Sequence, residues 1–214
     1  MADKLVVFDM DGTLLADRLV FALADRFDFV KKLETIMEAS GPEYEKTRRI
    51  ASLIKGISRE QFYHVLERIP FSRGAEAVAK ELKRRGYILA IISDSYTLAT
   101  ERLKSKLEFD YTIANELGLE KGKITGGVKM PLGCIKSEER CGQYSVCKQT
   151  ALIKLSQETK IPLARCVAIG DNLADVCMFE VAGIGIAFNP KHPKVEKAAD
   201  IVITEDFSPI LSII

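Results

Sequence analysis

The chain has 214 residues, 47% of them hydrophobic and 29% charged, with a formal net charge of +1. That length suits one large domain, or one domain carrying a smaller insertion, and the composition is that of an ordinary globular protein. It excludes a strongly basic nucleic-acid binder, since no basic stripe is interleaved with aromatics; it also excludes a bilayer-spanning segment, since no apolar run is long enough.

The chain enters at once into KLVVFDM, a continuous apolar run rich in Val and Phe that predicts a strand buried on both faces. From residue 14 to 71 no strand is predicted. Amphipathic helical pattern fills the interval in three stretches, FALADRFDFVKKLETIMEA, EYEKTRRIASLIKG and SREQFYHVLERI, punctuated by Gly41-Pro42 and Gly56. Phe21, Phe27, Phe29, Phe62 and Tyr63 are expected to form the core of this helical module. Arg48 and Arg49 fall within it, and His64 is expected to be structural.

From Gly74 onward strands and helices alternate. GAEAVAKELKRRG predicts a helix stopped by glycine, with Lys83, Arg84 and Arg85 complementing its C-terminal dipole. YILAIISD predicts a strand, TLATERLKSKL a helix and DYTIANEL a strand. The stretch 118–143 carries glycines and the run KITGGVKM, expected to be a hairpin that leads into a polar segment with Cys134, Cys141 and Cys147. Their spacing matches no C-x-x-C zinc pattern, and a lid, a metal clip or a dimer contact are all open for residues 130–147. VCKQTALIKLSQETK predicts a helix, RCVAIGD a strand, NLADVCMFEVAG a helix, IGIAF a strand, KVEKAAD a helix and IVIT a last strand. Cys166 and Cys177 are expected to act as small core hydrophobes. Strands separated by helices require crossover connections. The expected fold is therefore α/β, a doubly wound, mostly parallel, Rossmann-like sheet formed by residues 1–13 and 72–214, with a small helical insertion at 14–71.

Such sheets place ligands at the carboxyl ends of their strands, and there the polar residues collect. Asp9 and Asp11 end the first strand. Asp11-Gly12 alone would be an ordinary turn pair, and a calcium loop fails because Thr13 and Leu14 stand where it needs an oxygen ligand and a glycine. Ser93 and Asp94 end the second strand, Asp171 and Asn172 end a late one, and Lys148 opens a helix. Each has a plain reading as a cap, a turn or a surface charge. Together they place a carboxylate pair, a hydroxyl and a fixed cation along one sheet edge.

DMDGT, ISDS, Lys148 and GDNLAD, in that order, resemble the four motifs of the haloacid-dehalogenase superfamily, and the stretch GIGIAFNPKHPKVEKAADIVI resembles its phosphoserine-phosphatase branch. The resemblance implies that 14–71 is a cap domain and that the chain is a Mg²⁺-dependent phosphatase of a small phosphorylated metabolite. It implies Asp9 as nucleophile and Asp11 as general acid and base. Asp9, the Asp11 carbonyl and Asp171 would be metal ligands, and Ser93, the Asp94 amide and Lys148 would hold the phosphate. Asp175 would orient Lys148 or a metal-bound water. The chain departs from the branch in four places. Arg18 stands where a glutamate binds the substrate ammonium, and Ile50 stands at the cap-arginine position, with Arg49 beside it. Ser93-Asp94-Ser95 replaces Ser-Gly-Gly, and Ala174 replaces an asparagine for which Asn172 would compensate. An arginine in place of a carboxylate reverses the local field and favours a substrate with an extra anionic group. A phosphomutase or phosphotransferase, a phosphatase for another anion such as phosphoglycolate, and a non-enzymatic binding module are the alternatives. A cytoplasmic monomer or homodimer is expected.

Overall fold

The computed structural model describes residues 3–130 and 142–214. Cys134 and Cys141, and with them the lid, clip or dimer readings of their segment, lie outside the described residues.

Strand β1 (Leu5–Phe8) is the centre of the molecule. Its four side chains are fully buried, as a strand covered on both faces requires. It runs parallel to β2 (Ile88–Tyr96) on one side and to β5 (Cys166–Gly170) on the other. The seven-stranded sheet has the order β4-β3-β2-β1-β5-β6-β7, with β3 (Tyr111–Glu120), β4 (Lys123–Lys129), β6 (Ile184–Phe188) and β7 (Ile201–Ile203) completing it. Among the described residues only β4 runs antiparallel, joined to β3 as a hairpin. Going outward from β1 the winding reverses, so a crevice opens where the connections depart in opposite directions.

Alternate residues of β1 feed two cores. Val6 and Phe8 face helices α5 (Ala75–Arg84), α6 (Thr97–Leu107) and α10 (Ile210–Ile213). Leu5 and Val7 face α7 (Lys148–Thr159), α8 (Val176–Phe179) and α9 (Pro193–Ala198). Both faces of the sheet are thus closed, as the doubly wound reading requires.

Between β1 and α5 lie α1 (Leu19–Arg26), α2 (Val30–Glu38), α3 (Glu43–Leu53) and α4 (Arg59–Leu66). The chain leaves for them and returns at one crossing, where Ala16 N donates to Pro70 O at 2.9 Å and Ser72 N to Leu14 O at 2.9 Å. These helices are also stitched to the hairpin: Gly56 N donates to Ile124 O at 2.8 Å, Ile124 N to Ile57 O at 3.0 Å and Arg59 N to Gly122 O at 2.9 Å.

Three local expectations are corrected. The first amphipathic stretch is two helices, because Asp28 takes a left-handed conformation (φ 57°) that ends α1. Phe21 is 39% exposed instead of lying in the helical core; the Arg18 guanidinium sits over its ring, 5.7 Å from the centroid. The helix read over NLADVCMFEVAG shrinks to a 3-10 turn (Leu173–Asp175) and the single turn of α8, because Asn172 and Asp175 form a capping box that restarts the chain. No helix among the described residues is long and apolar enough to cross a membrane.

Candidate active site

Register sets the site. Phe8 pairs with Ile91 of β2 and with Ile169 of β5. Asp9 therefore lies one residue beyond that level, and Ser93 and Asp171 lie two residues beyond it, all at the carboxyl edge. Asp9 N donates to Ile169 O at 2.8 Å, which holds the chain extended up to the first carboxylate.

The chain then turns sharply. Gly12 has φ +85°, and a Cβ there would lie 2.5 Å from Asp171 Oδ2. The glycine supplies both the left-handed turn and the space for a second carboxylate. Thr13 Oγ1 then donates to Asp171 Oδ1 at 3.1 Å. Asp11 accepts the Leu19 amide at 2.6 Å, so the second carboxylate of the pair caps the first amide of α1.

Lys148, the first residue of α7, is buried and places Nζ 2.6 Å from Asp9 Oδ1 and 2.6 Å from Asp175 Oδ1. Asp175 Oδ2 accepts the amides of Asp171 at 3.0 Å and Asn172 at 2.9 Å. Its carboxylate occupies the space beside Gly170, where a Cβ would meet Asp175 Cγ at 2.2 Å.

Asp9, Asp171 and Asp175 each offer an oxygen within 4.8 Å of the other two, with one ammonium among them. The imbalance shows in their acidity. Burial, then Asp9 and Asp175, push Asp171 up to about 8. Burial pushes Asp175 up to about 6 against the pull of Lys148. Asp9 is raised by burial more than Lys148 lowers it, and Asp11 is raised by burial against the Leu19 amide and Arg18. Burial alone would depress Lys148, but Asp175, Asp9 and Asp94 hold it well above its ordinary range. The ammonium is therefore permanent, while the carboxylates are short of counter-charge. All-oxygen donors with surplus negative charge suit a hard divalent cation.

Above this floor lies a cavity of about 430 Å³. The α/β core contributes Asp9, Asp11, Ser93 and Lys148 to its lining, and the helical segment contributes Arg18, Lys46 and Ile50 among others. Ser93 is buried and its Oγ accepts the Ser95 amide at 3.1 Å. Asn172 lines the cavity, with Oδ1 accepting the Leu173 amide at 2.7 Å.

One sequence-derived residue is placed differently from expectation. Arg49 is exposed and outside the cavity lining; one face of α3 turns Lys46, Thr47 and Ile50 inward, and Arg49 falls off that face. The Asp94 carboxylate points at the approach to α7, accepting from Val146 N at 2.8 Å and Ser145 Oγ at 3.1 Å. Asn115 completes that support, donating from Nδ2 to Asp94 O at 2.6 Å and to Ser145 Oγ at 2.8 Å. Sequence reasoning missed Asn115, Ser145 and Thr13. Thr13 stood inside a quoted motif, whereas Asn115 reaches the site only through the pairing of β3 with Tyr96 of β2.

A model of haloacid dehalogenase-like hydrolases matches residues 6–180. The phosphoserine phosphatase of Methanocaldococcus jannaschii is 34% identical over 216 residues, covering 99% of this chain and 97% of that protein. The phosphoserine phosphatase of Archaeoglobus fulgidus is 32% identical over 99% of this chain, which spans 60% of that protein's length. A solved structure described as a phospho-aspartyl intermediate analogue of phosphoserine phosphatase superposes with a TM-score of 0.84 at 32% identity, with 100% of both chains covered.

Proposed function

The chain belongs to the haloacid dehalogenase-like hydrolase family, and from that membership we propose a phosphomonoesterase that hydrolyses a small phosphorylated metabolite through an aspartyl-phosphate on Asp9. The observation that carries this reading is the buried Lys148 shared by Asp9 and Asp175 at the floor of the cavity. A fixed cation there offsets the charge of a phosphate dianion and keeps the nucleophilic carboxylate aimed.

In the first step an Asp9 carboxylate oxygen attacks phosphorus, the bond from phosphorus to the ester oxygen breaks, and Asp11 gives its proton to the leaving alkoxide. The raised pKa of Asp11 favours the protonated form this needs. In the second step water attacks the acyl phosphate, Asp11 takes the proton, and inorganic phosphate leaves with Asp9 restored. Ser93 Oγ, the Asp94 amide and Lys148 bind the non-bridging oxygens. Asp175 positions Lys148. Asp9, the Asp11 carbonyl and Asp171 are the residues that would hold Mg²⁺. When bound, that ion supplies positive charge that lowers repulsion between the carboxylates and the phosphate.

Helices α1–α4 are read as a cap over the site, supported by the cavity surface contributed by Val20, Met37 and Ile50. The same proposal puts the protein in the cytoplasm, a compartment suited to the reduced thiol of Cys166. Turnover of p-nitrophenyl phosphate with Mg²⁺ tests the reading: activity lost with EDTA and in Asp9→Asn is expected, and absence of turnover in the magnesium-loaded parent would overturn it.

A further inference from the structure

We infer that Arg18 selects substrates carrying a second anionic group beside the phosphate ester and no ammonium group, an inference that rests on the phosphomonoesterase reading. Above the reacting carboxylates and Lys148, the cap contributes three charged side chains to the cavity: Arg18, Glu43 and Lys46. Two of these cancel. Lys46 Nζ donates to Glu43 Oε1 at 2.8 Å and to the Met37 carbonyl at 2.9 Å, which locks the pair to the end of α2. Asp94, the remaining acidic residue of the lining, spends its Oδ1 on Val146 N and Ser145 Oγ. An incoming ammonium therefore meets no acidic side chain apart from the reacting groups and those already engaged.

Arg18 is different. None of the ion pairs among the described residues involves it. The next residue is clamped to the reaction centre by the Leu19 amide on Asp11, so Arg18 stands at the mouth directly beside the proposed general acid. Its guanidinium lies over the half-open ring of Phe21, a platform that limits its rotamers. A planar guanidinium held in this way matches a carboxylate or a second phosphate with two parallel hydrogen bonds. The chemistry shared by both is a compact anion a few bonds from the phosphate ester.

Calorimetry on magnesium-loaded Asp9→Asn tests this without turnover, using phosphoglycolate, propane-1,3-diyl bisphosphate and phosphoethanolamine as probes. At least one of the two anions should bind about tenfold or more tightly than phosphoethanolamine, and whichever binds better identifies carboxylate or phosphate as the recognised group. Adding Arg18→Gln should reduce that preference to about twofold, and Arg18→Glu should invert it. Equal binding of anionic and ammonium probes, or a preference that survives Arg18→Gln, overturns the inference. Selective binding in a parent chain that turns over no aryl phosphate would leave Arg18's role standing and remove the phosphomonoesterase reading alone.

Discussion

Lys148 Nζ donates to Asp175 Oδ1 at 2.6 Å, and the two side chains are 2% and 0% exposed. A buried pair of this kind is expensive to break from one side, because the partner left behind has no water to turn to. Lys148→Met is expected to destabilise the metal-free protein by about 3–5 kcal/mol, since Asp9 loses its cation as well. Combining it with Asp175→Asn, which removes one negative charge and keeps an acceptor for the Asp171 and Asn172 amides, should recover part of that loss. Guanidinium unfolding in EDTA reads both. Additive losses would show that the pair is not coupled.

The central sheet was legible because burial on both faces leaves a signature that polar or one-sided strands lack. LVVF and CVAIG are apolar without interruption, and each runs into a carboxylate at the point where the sheet ends. Asp9, Asp171 and Lys148 could thus be placed together from the sequence alone. The direction of a side chain beyond a strand end was not legible in the same way. Asp94 follows Ser93 directly, yet its carboxylate turns toward Val146, because that amide needs an acceptor where the chain enters α7. Lys46 and Arg49 lie three residues apart on α3, and which of them faces the cavity depends on how the helix is rotated against the sheet. The break at Asp28 was hidden for a similar reason. A single left-handed residue leaves the apolar periodicity on either side nearly intact.

The acidic cluster gives the metal-free protein an unusual dependence on pH. Folded Asp171 keeps its proton up to about pH 8, while an unfolded aspartate releases it near pH 4. Between those values the native state binds more protons, so stability is fully present at the acid end and falls as pH rises through 8. Asp175 acts in the same sense through about pH 6. In EDTA, Tm should therefore rise by about 5 °C or more on going from pH 9 to pH 6. Because a cation binds the deprotonated carboxylates, the Tm increase produced by Mg²⁺ should grow toward high pH. Asp171→Asn should flatten both trends. A metal-free Tm that stays level or climbs from pH 6 to pH 9 would contradict the assignment.

Gly12 separates backbone strain from damage to the site. An alanine there is strained at φ +85° and drives Cβ to 2.5 Å from Asp171 Oδ2. Gly122 has a similar φ of +77°, with nothing within 4 Å of the place a methyl group would take. Both alanine variants should lose about 1–2 kcal/mol of stability from the left-handed conformation alone. Only Gly12→Ala should also raise the Mg²⁺ concentration needed for half-maximal activity, by about tenfold. Equal Mg²⁺ requirements in the two variants would mean that Asp171 yields to the methyl group without consequence.

Asp11 has two duties that one substitution can pull apart. Its carboxylate accepts the Leu19 amide at 2.6 Å and so fixes the start of α1, and it is also the proposed proton donor to the leaving group. An asparagine retains an acceptor oxygen for Leu19 and cannot deliver a proton. Asp11→Asn should therefore keep stability within about 1 kcal/mol while lowering kcat for an alkyl phosphate by about 10²–10⁴. A p-nitrophenolate leaves without needing that proton, so the first step with the aryl ester should suffer less. The pre-steady-state burst of p-nitrophenol measures that step separately from the hydrolysis of the aspartyl-phosphate, for which Asp11 is also the base. A burst retained with slow steady-state turnover is the expected result. Equal loss of the burst and of alkyl ester turnover would mean that Asp11 acts through the position of α1 and not through its proton.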